Sequence, residues 1–391
     1  MKLIVIGCGQ CGGRVADEFA RLNIKARVRR GIGIITGVYA VNTDVADLTG
    51  LSYIKANYRQ RIVVGTQKTG GHGVGKINEL GAEIAKEDSD KIIEAVRATE
   101  RFPETDAFLL IAGAAGGTGS GAIAVLTQHL KERFPEKPLY NLIVLPFRHE
   151  EQTEERAIYN TATCLKSAYL VADAIFLVDN QRYIRKDSSI KANLTEINAL
   201  VVEPFYNLLS AGEEKIPGYI GSKTLDAGDI IQTLAGWTII GHGRIGLPRF
   251  RLLFGRKGHF KDKINETHRG IQSMQKAISE LSLKCNPSDA RRGLYLLSAP
   301  PSEMNMDLIQ ELGARLKSIA SDAIIRSGDY PREKSSIDVT IILSELTNIP
   351  KINDYFTRAI NYIYATKRRR EGIDFQHKTV EDLFKEMPSL L

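Results

Sequence analysis

Cysteine, histidine and tryptophan are scarce in this sequence: 4, 7 and 1 in 391 residues. Four cysteines in a chain this long do not make a disulfide framework, and such sparing use suggests a reducing compartment. The histidines are scattered without metal-ligand spacing, so no zinc site is expected. No apolar run approaches the ~18–20 residues of a membrane span. The chain opens directly on a strand-like segment, so no signal peptide is visible, and a cytoplasmic protein without an integral membrane segment is expected. Internal repeats and low-complexity tracts are missing too. Charge is nearly balanced, with 53 Lys and Arg against 46 Asp and Glu for a net +7. Contact with nucleic acid or an anionic membrane stays open, but a solvated basic surface accounts for the excess, and nucleic acid is not an expected partner.

Glycine is present in quantity, 34 residues, and it comes in bursts. Residues 2–20 read KLIVIGCGQCGGRVADEFA. Gly7, Gly9 and Gly12 have the G-x-G-x-x-G spacing of a dinucleotide loop, while Cys8 and Cys11 have the C-x-x-C spacing of a redox site. Residues 106–121 read DAFLLIAGAAGGTGSG: again an apolar strand runs into glycines, and a helix follows at once. Small residues let backbone N–H groups approach an anion, and a helix N-terminus adds partial positive charge. Two such junctions in one sheet suggest a nucleotide with several phosphates held between them. A redox pair lacks a preceding Trp and a following cis-Pro signature. A dinucleotide fold explains one loop but not two, and Asp44 lies too far along to be its ribose acid. A third burst, GGHGVGKI at 70–77, is one residue short of a P-loop and carries Ile77 where a magnesium-binding hydroxyl would stand. A mobile loop that senses a terminal phosphate fits it better.

β-rich runs near residues 3–6, 37–41, 61–64, 107–112, 140–145 and 174–178 alternate with helical patterns such as 90–99 and 121–133. That alternation predicts an α/β fold with a parallel sheet, whose ligands sit at the carboxyl ends of the strands. A helix is expected over 193–212, with Asn193 and Glu196 as a capping pair and a kink at Pro204. Beyond it, helices are expected at 260–283 and 305–321 and strands at 294–298 and 337–343. The resulting division is 1–190, 191–212, 213–366 and a basic, amphipathic tail 367–391.

The stretch AGGTGSG, residues 115–121, resembles the signature glycine loop of the tubulin/FtsZ superfamily. GQCG (9–12) is similar to the tubulin first loop and NTD (42–44) to the FtsZ second loop. The opening MKLIVIGCGQCGGRV, the block 61–88, SGDYP (327–331) and LTNIPKI (346–352) resemble CetZ proteins, the archaeal branch. The resemblance covers the chain to about residue 365. It implies a Rossmann-like GTPase domain, a long central helix and a smaller α+β C-terminal domain. It also implies a GTPase that forms head-to-tail filaments with itself, takes GTP or GDP with Mg²⁺, and takes part in control of cell shape, in the cytoplasm or beneath the membrane.

The same resemblance assigns residues. Gly9, Gln10, Cys11 and Gly12, with Gly113, Ala114, Ala115, Gly116, Gly117, Thr118, Gly119 and Ser120, match the phosphate loops. Asn42, Thr43, Asp44, Gly70 and Gly71 match the loops near the terminal phosphate, with Asp44 reaching Mg²⁺ through water. Glu150 and Asn180 match ribose positions, while Arg156 departs from the FtsZ spacing. Asn198, in INALV, aligns with the guanine-reading position. KTLDAGDIIQTLAG, 223–236, resembles the FtsZ loop that meets the neighbour's nucleotide, with Asp226 and Asp229 as its two acids and Thr224 where FtsZ has asparagine. As a bland alternative, Asp226 merely caps the helix.

The tail TVEDLFKEMPSLL does not match the FtsZ tether peptide; it either binds an adaptor or is a frayed end. The basic–apolar stretch 244–263 and the KRRR run at 367–370 read as a packed loop and a solvated helix end. Two rival functions remain: a DNA-partitioning or division-type filament, and an NAD(P)-dependent oxidoreductase.

Overall fold

A computed structural model describes residues 1–184, 190–247, 260–371 and 384–391, with the side chains of 155, 190–196, 260–266 and 366–371 outside that description. The chain forms two compact units. One takes residues 2–22, 35–200 and 348–391, and the other takes Met1, 23–34 and 201–347.

The first unit is built on six strands: β1 (Leu3–Cys8), β2 (Ile35–Asn42), β3 (Arg61–Val63), β4 (Ala107–Gly113), β5 (Leu139–Leu145) and β6 (Ala174–Asp179). They run parallel in the order β3-β2-β1-β4-β5-β6. Val5 of β1 faces Val38 on one side and Leu109 on the other. The segments LIVIGC and LYNLIVL are buried along their whole length. Such unbroken apolar runs, without alternation, belong to strands covered on both faces. All six strands expected from the sequence form.

The helices between them are α1 (Gly9–Arg30), α2 (Val45–Thr49), α3 (Thr66–Thr69), α4 (Asn78–Glu87), α5 (Ser89–Arg97), α6 (Thr118–Arg133), α7 (Arg148–Thr153), α8 (Glu155–Val171) and α9 (Ile190–Ser210). Two of them correct the sequence reading. The GQCG and TGSG stretches are not loops ahead of a helix; they are the first turns of α1 and α6. Glycine and other small residues allow the helix to start directly at the strand end, against neighbouring backbone. The central helix starts at Ile190, so Asn193 and Glu196 fall inside it, and it continues through Pro204 to Ser210.

The second unit holds α10 (Ala227–Thr233), β7 (Gly236–Gly246), α11 (Phe260–Ser279), β8 (Arg292–Ala299), α12 (Met306–Ile319), β9 (Ile324–Pro331) and β10 (Ser336–Leu346). Within it β10 pairs antiparallel with β7 and β8, and β8 pairs parallel with β9. Sequence reading missed β7 because glycines interrupt its apolar pattern. They are there for packing: a Cβ on Gly243 would come within 1.9 Å of the Ser273 carbonyl oxygen, so α11 lies directly on the strand backbone.

A last helix, α13 (Pro350–Glu371), belongs to the first unit. The chain end packs there too. Phe384 stands edge-on to Tyr169 and Phe356, with centroids 5.8 and 5.2 Å away. Lys166 Nζ donates to the carbonyls of Lys385, at 3.0 Å, and Met387. Leu390 N donates to Ser167 Oγ at 2.9 Å, and Met387 is buried. Residues 384–391 are therefore a docked segment rather than a frayed end. Most of 244–263, and the side chains of 367–370, lie outside the described residues.

Candidate functional site

At the carboxyl ends of the parallel strands lies a cleft of ≈ 670 Å³. Ligand pockets typically span about 300–1,000 Å³. Gly9, Gln10 and Cys11 line it from the β1–α1 junction, and Asn42 and Asp44 from the end of β2. Gly113, Ala114, Ala115, Gly116, Gly117, Thr118 and Gly119 line it from β4–α6. Glu150 on α7, Asn180 after β6 and Asn198 on α9 complete the set. Thus the chain ends of five parallel strands or their following turns converge on one space.

The phosphate-facing chemistry is mostly backbone. Helix α6 has no side-chain cap at its N-terminus, so its first amides keep their donors for a ligand. Gly9 has φ +69°, and a Cβ there would come within 2.8 Å of Gly119 N. Only glycine lets the two helix starts approach each other this closely.

Five expected residues support the cleft without lining it. The Thr43 hydroxyl lies 2.6 Å from the Thr118 hydroxyl, tying the second loop to the α6 start. Ser120 Oγ donates back to the Gly116 carbonyl. Gly12 packs against β4, where a Cβ would meet the Ile111 carbonyl. Gly70 and Gly71 are left-handed turn residues, and the Gly71 carbonyl accepts from Val45 N at 3.1 Å. Gly73, one step further, does line the cleft and donates to the Thr43 carbonyl at 3.2 Å.

Polar side chains in the cleft are already ordered. Gln10 Nε2 donates to Asp47 at 2.5 Å, and Asn42 Nδ2 donates to the other Asp47 oxygen at 3.0 Å. Asp44 Oδ1 accepts from Ala46 N and Asp47 N, capping α2. Glu150 accepts from Phe147 N at 2.8 Å. Burial pushes the Cys8 thiol up to about 12, and burial with Glu150 does the same to Cys11. Both cysteines are free, and a thiol raised by burial is a poor nucleophile, which argues against a redox pair.

Asp226 and Asp229 belong to the other unit and are not among the cleft residues. Asp226 is exposed and accepts from Asp229 N at 2.8 Å, capping α10. Asp229 lies 3.3 Å from Arg326 Nε. Arg326 also donates to Gln232 at 2.5 Å. Arg156, the ribose position with the deviant spacing, donates to the Lys76 carbonyl at 3.0 Å and pairs with Glu79.

Comparison with known proteins gives this arrangement a family. Residues 2–186 match the Tubulin/FtsZ family GTPase domain, and residues 187–361 match the tubulin-like CetZ C-terminal domain. The tubulin-like protein CetZ1 of Haloferax volcanii is 34% identical over 370 residues, 90% of each chain. The chain belongs to the CetZ family. A GDP-bound monomer of Haloferax volcanii CetZ1 superposes with a TM-score of 0.79 at 32% identity, covering 93% of this chain and 100% of that one. A GTPγS-bound protofilament of CetZ2 from the same organism gives 0.80 at 25% identity, covering 94% and 100%.

Several residues of this CetZ cleft escaped sequence reasoning. Arg14, Asp47, Lys76, Phe147, His149 and Ile184 all line it. Phe147 and His149 stack at 5.5 Å, with ring planes 18° apart. Their stretch, PFRHEE, invites attention for its acids alone; two aromatic rings two residues apart after a strand were the available signal. Asp47 carries no motif signal, because its place depends on the turn that Asp44 caps.

Proposed function

We propose that this CetZ protein binds GTP, hydrolyses it to GDP and phosphate, and polymerises head to tail into protofilaments whose sites are completed by the next subunit. One observation carries the nucleotide reading: the starts of α1 and α6, on adjacent strands, open side by side on one cleft. Backbone amides and a helix N-terminus are donors of the right kind for phosphate oxygens. Gly9 to Cys11 and Gly113 to Gly119 form that cradle, with Gly12 and Ser120 packed behind it. Asn42 and Asp44, with Thr43, Gly70 and Gly71 shaping the loops behind them, serve the terminal phosphate. The GDP and GTPγS bound to the Haloferax relatives support the choice of a guanine nucleotide.

The cleft's oxygen donors suit Mg²⁺, a hard cation that keeps several waters and takes one or two carboxylates. Asp44 would hold it through water, since its Oδ1 is already occupied by backbone amides. Bound there, Mg²⁺ neutralises phosphate charge. Glu150 and Asn180 serve the ribose. Asn198 reads the guanine edge, its amide supplying donor and acceptor together.

Asp226 and Asp229 act on the neighbour's nucleotide, orienting or deprotonating the attacking water. A head-to-tail contact of this kind does not close, so it builds filaments. The protofilament formed by CetZ2 supports this reading. The role is control of cell shape in the cytoplasm. The test is GTP hydrolysis per subunit across a dilution series, beside the Asp226→Ala, Asp229→Ala double variant. A specific rate that rises above a critical concentration and vanishes in the variant is expected. A flat rate, unchanged in the variant, overturns shared-site hydrolysis.

A further inference from the structure

Lys76 joins an unusual backbone to a loosely held side chain. It is one of two non-glycine residues with positive φ among the described residues, at +62°. Backbone in that region is costly for a side chain and is kept where the surroundings enforce it. The enforcement is visible: the Lys76 carbonyl accepts from Arg156 Nε at 3.0 Å and from Asn160 Nδ2 at 2.9 Å. Buried Asn160 also donates to the carbonyls of Ala115 and Gly116, so one amide fastens Lys76 to the phosphate loop. A Cβ on Gly117 would come within 2.9 Å of Lys76 Cα. The backbone of Lys76 is thus clamped against the signature loop while its side chain lines the cleft.

The side chain, by contrast, is lightly held. Its ammonium pairs with Glu154, and the two side chains are 49% and 36% exposed. Exposed pairs of this kind contribute little and exchange readily. Glu154 sits at the junction of α7 and α8. A rigid backbone under a loosely paired cation, beside a phosphate cradle, is the arrangement of a group that changes partner.

We propose that Lys76 exchanges its ion pair with Glu154 for the terminal phosphate of a nucleoside triphosphate, and so makes the cleft prefer triphosphate over diphosphate. This rests on the nucleotide reading above. The backbone amides serve whichever nucleotide is bound, whereas the ammonium at the cleft wall gains a phosphate partner only where the extra group of a triphosphate reaches it. On release of the terminal phosphate, Lys76 returns to Glu154 and ties the 70–77 loop to the α7–α8 junction.

Equilibrium binding of GDP and of GTPγS, both with Mg²⁺, to the full chain tests this. Lys76→Met is expected to lower GTPγS affinity about tenfold and to leave GDP affinity within about twofold, while Lys76→Arg restores most of the preference. Glu154→Gln, which keeps Lys76, is expected to raise the GTPγS-to-GDP preference several-fold. Equal loss of both nucleotides in Lys76→Met, or no loss of either, overturns the proposal. So does an unchanged preference in Glu154→Gln, which decides the matter if Lys76→Met fails to fold. A parent protein that binds neither nucleotide overturns the cleft's reading itself, and this assignment with it.

Discussion

The two units differ in the polar groups they leave open, although both also pair ionisable groups and cap helices. In the first, donors are left facing a cleft: α6 is uncapped, and Gly9 to Cys11 and Gly113 to Gly119 present backbone. In the second, ionisable groups close on one another. Asp338 takes Arg244, Lys334 and Ser336; Asp329 accepts from the amides of Ser222 and Lys223; Arg269 pairs with Glu303. Even the helix starts differ, for α10 is capped by its own Asp226 while α6 is bare. A unit that leaves polar groups open is built to receive a ligand. A unit that satisfies them internally is built to hold its shape, and the groups it leaves exposed, such as Asp226, are the ones to examine for function.

Asp226→Asn offers the sharpest way to break that comparison. It removes the charge but keeps an N-cap acceptor. If Asp226 serves the neighbour's nucleotide, hydrolysis above the critical concentration falls by about 10²-fold or more, the scale of a lost general base. Retention of the parent rate in steady-state phosphate release would make the residue a cap only.

Gly9→Ala attacks the open unit. The added methyl meets Gly119 N at a left-handed position. Overpacking costs about 1–3 kcal/mol, and GDP affinity, read by titration calorimetry, should fall with it.

His242 probes the closed unit. Burial holds its imidazole down to about 4, against a partial opposing pull from Asp338. Burial acts to raise Asp338, but Lys334, Ser336 and Arg244 outweigh it and hold that carboxyl below its ordinary range. A histidine depressed in the folded state stays neutral while the unfolded chain takes up a proton. Stability is therefore lost as pH falls from about 6.5 to about 4, by roughly 3 kcal/mol for this group. Asp338 adds a further loss at lower pH. Urea midpoints across that range should show a shallower slope in His242→Gln.

The smallest effect separates the cap from the chemistry. Asp226→Ala should lower stability by about 1 kcal/mol, whereas Asp226→Asn leaves it nearly unchanged. Thermal melts of both variants check this, and equal melts would mean that the α10 cap contributes nothing.

Much of this was legible in advance, and what was not has a physical cause. The strands of the first unit were readable because burial on both faces demands unbroken apolar runs, as in LIVIGC and AFLLIAG. Strand β7 was not, because α11 requires glycine at positions where a strand pattern would show side chains. The cleft's glycines were readable as bursts, but their being helical first turns was not, since small residues fit loops and close-packed helix starts equally well.

By itself, the sequence determined the α/β alternation around a parallel sheet, the two glycine-bearing strand ends and the family. These are local properties: apolar periodicity, residue size and spacing along the chain. Tertiary structure alone decided which residues share the cleft. Asp47, Lys76, Phe147 and Asn198 are far apart in the chain and line one space, because parallel strands bring their carboxyl ends together and the turns follow. It also decided which polar groups remain open, since a hydrogen-bond partner such as Asn160 for the Lys76 carbonyl is supplied across 84 residues of sequence.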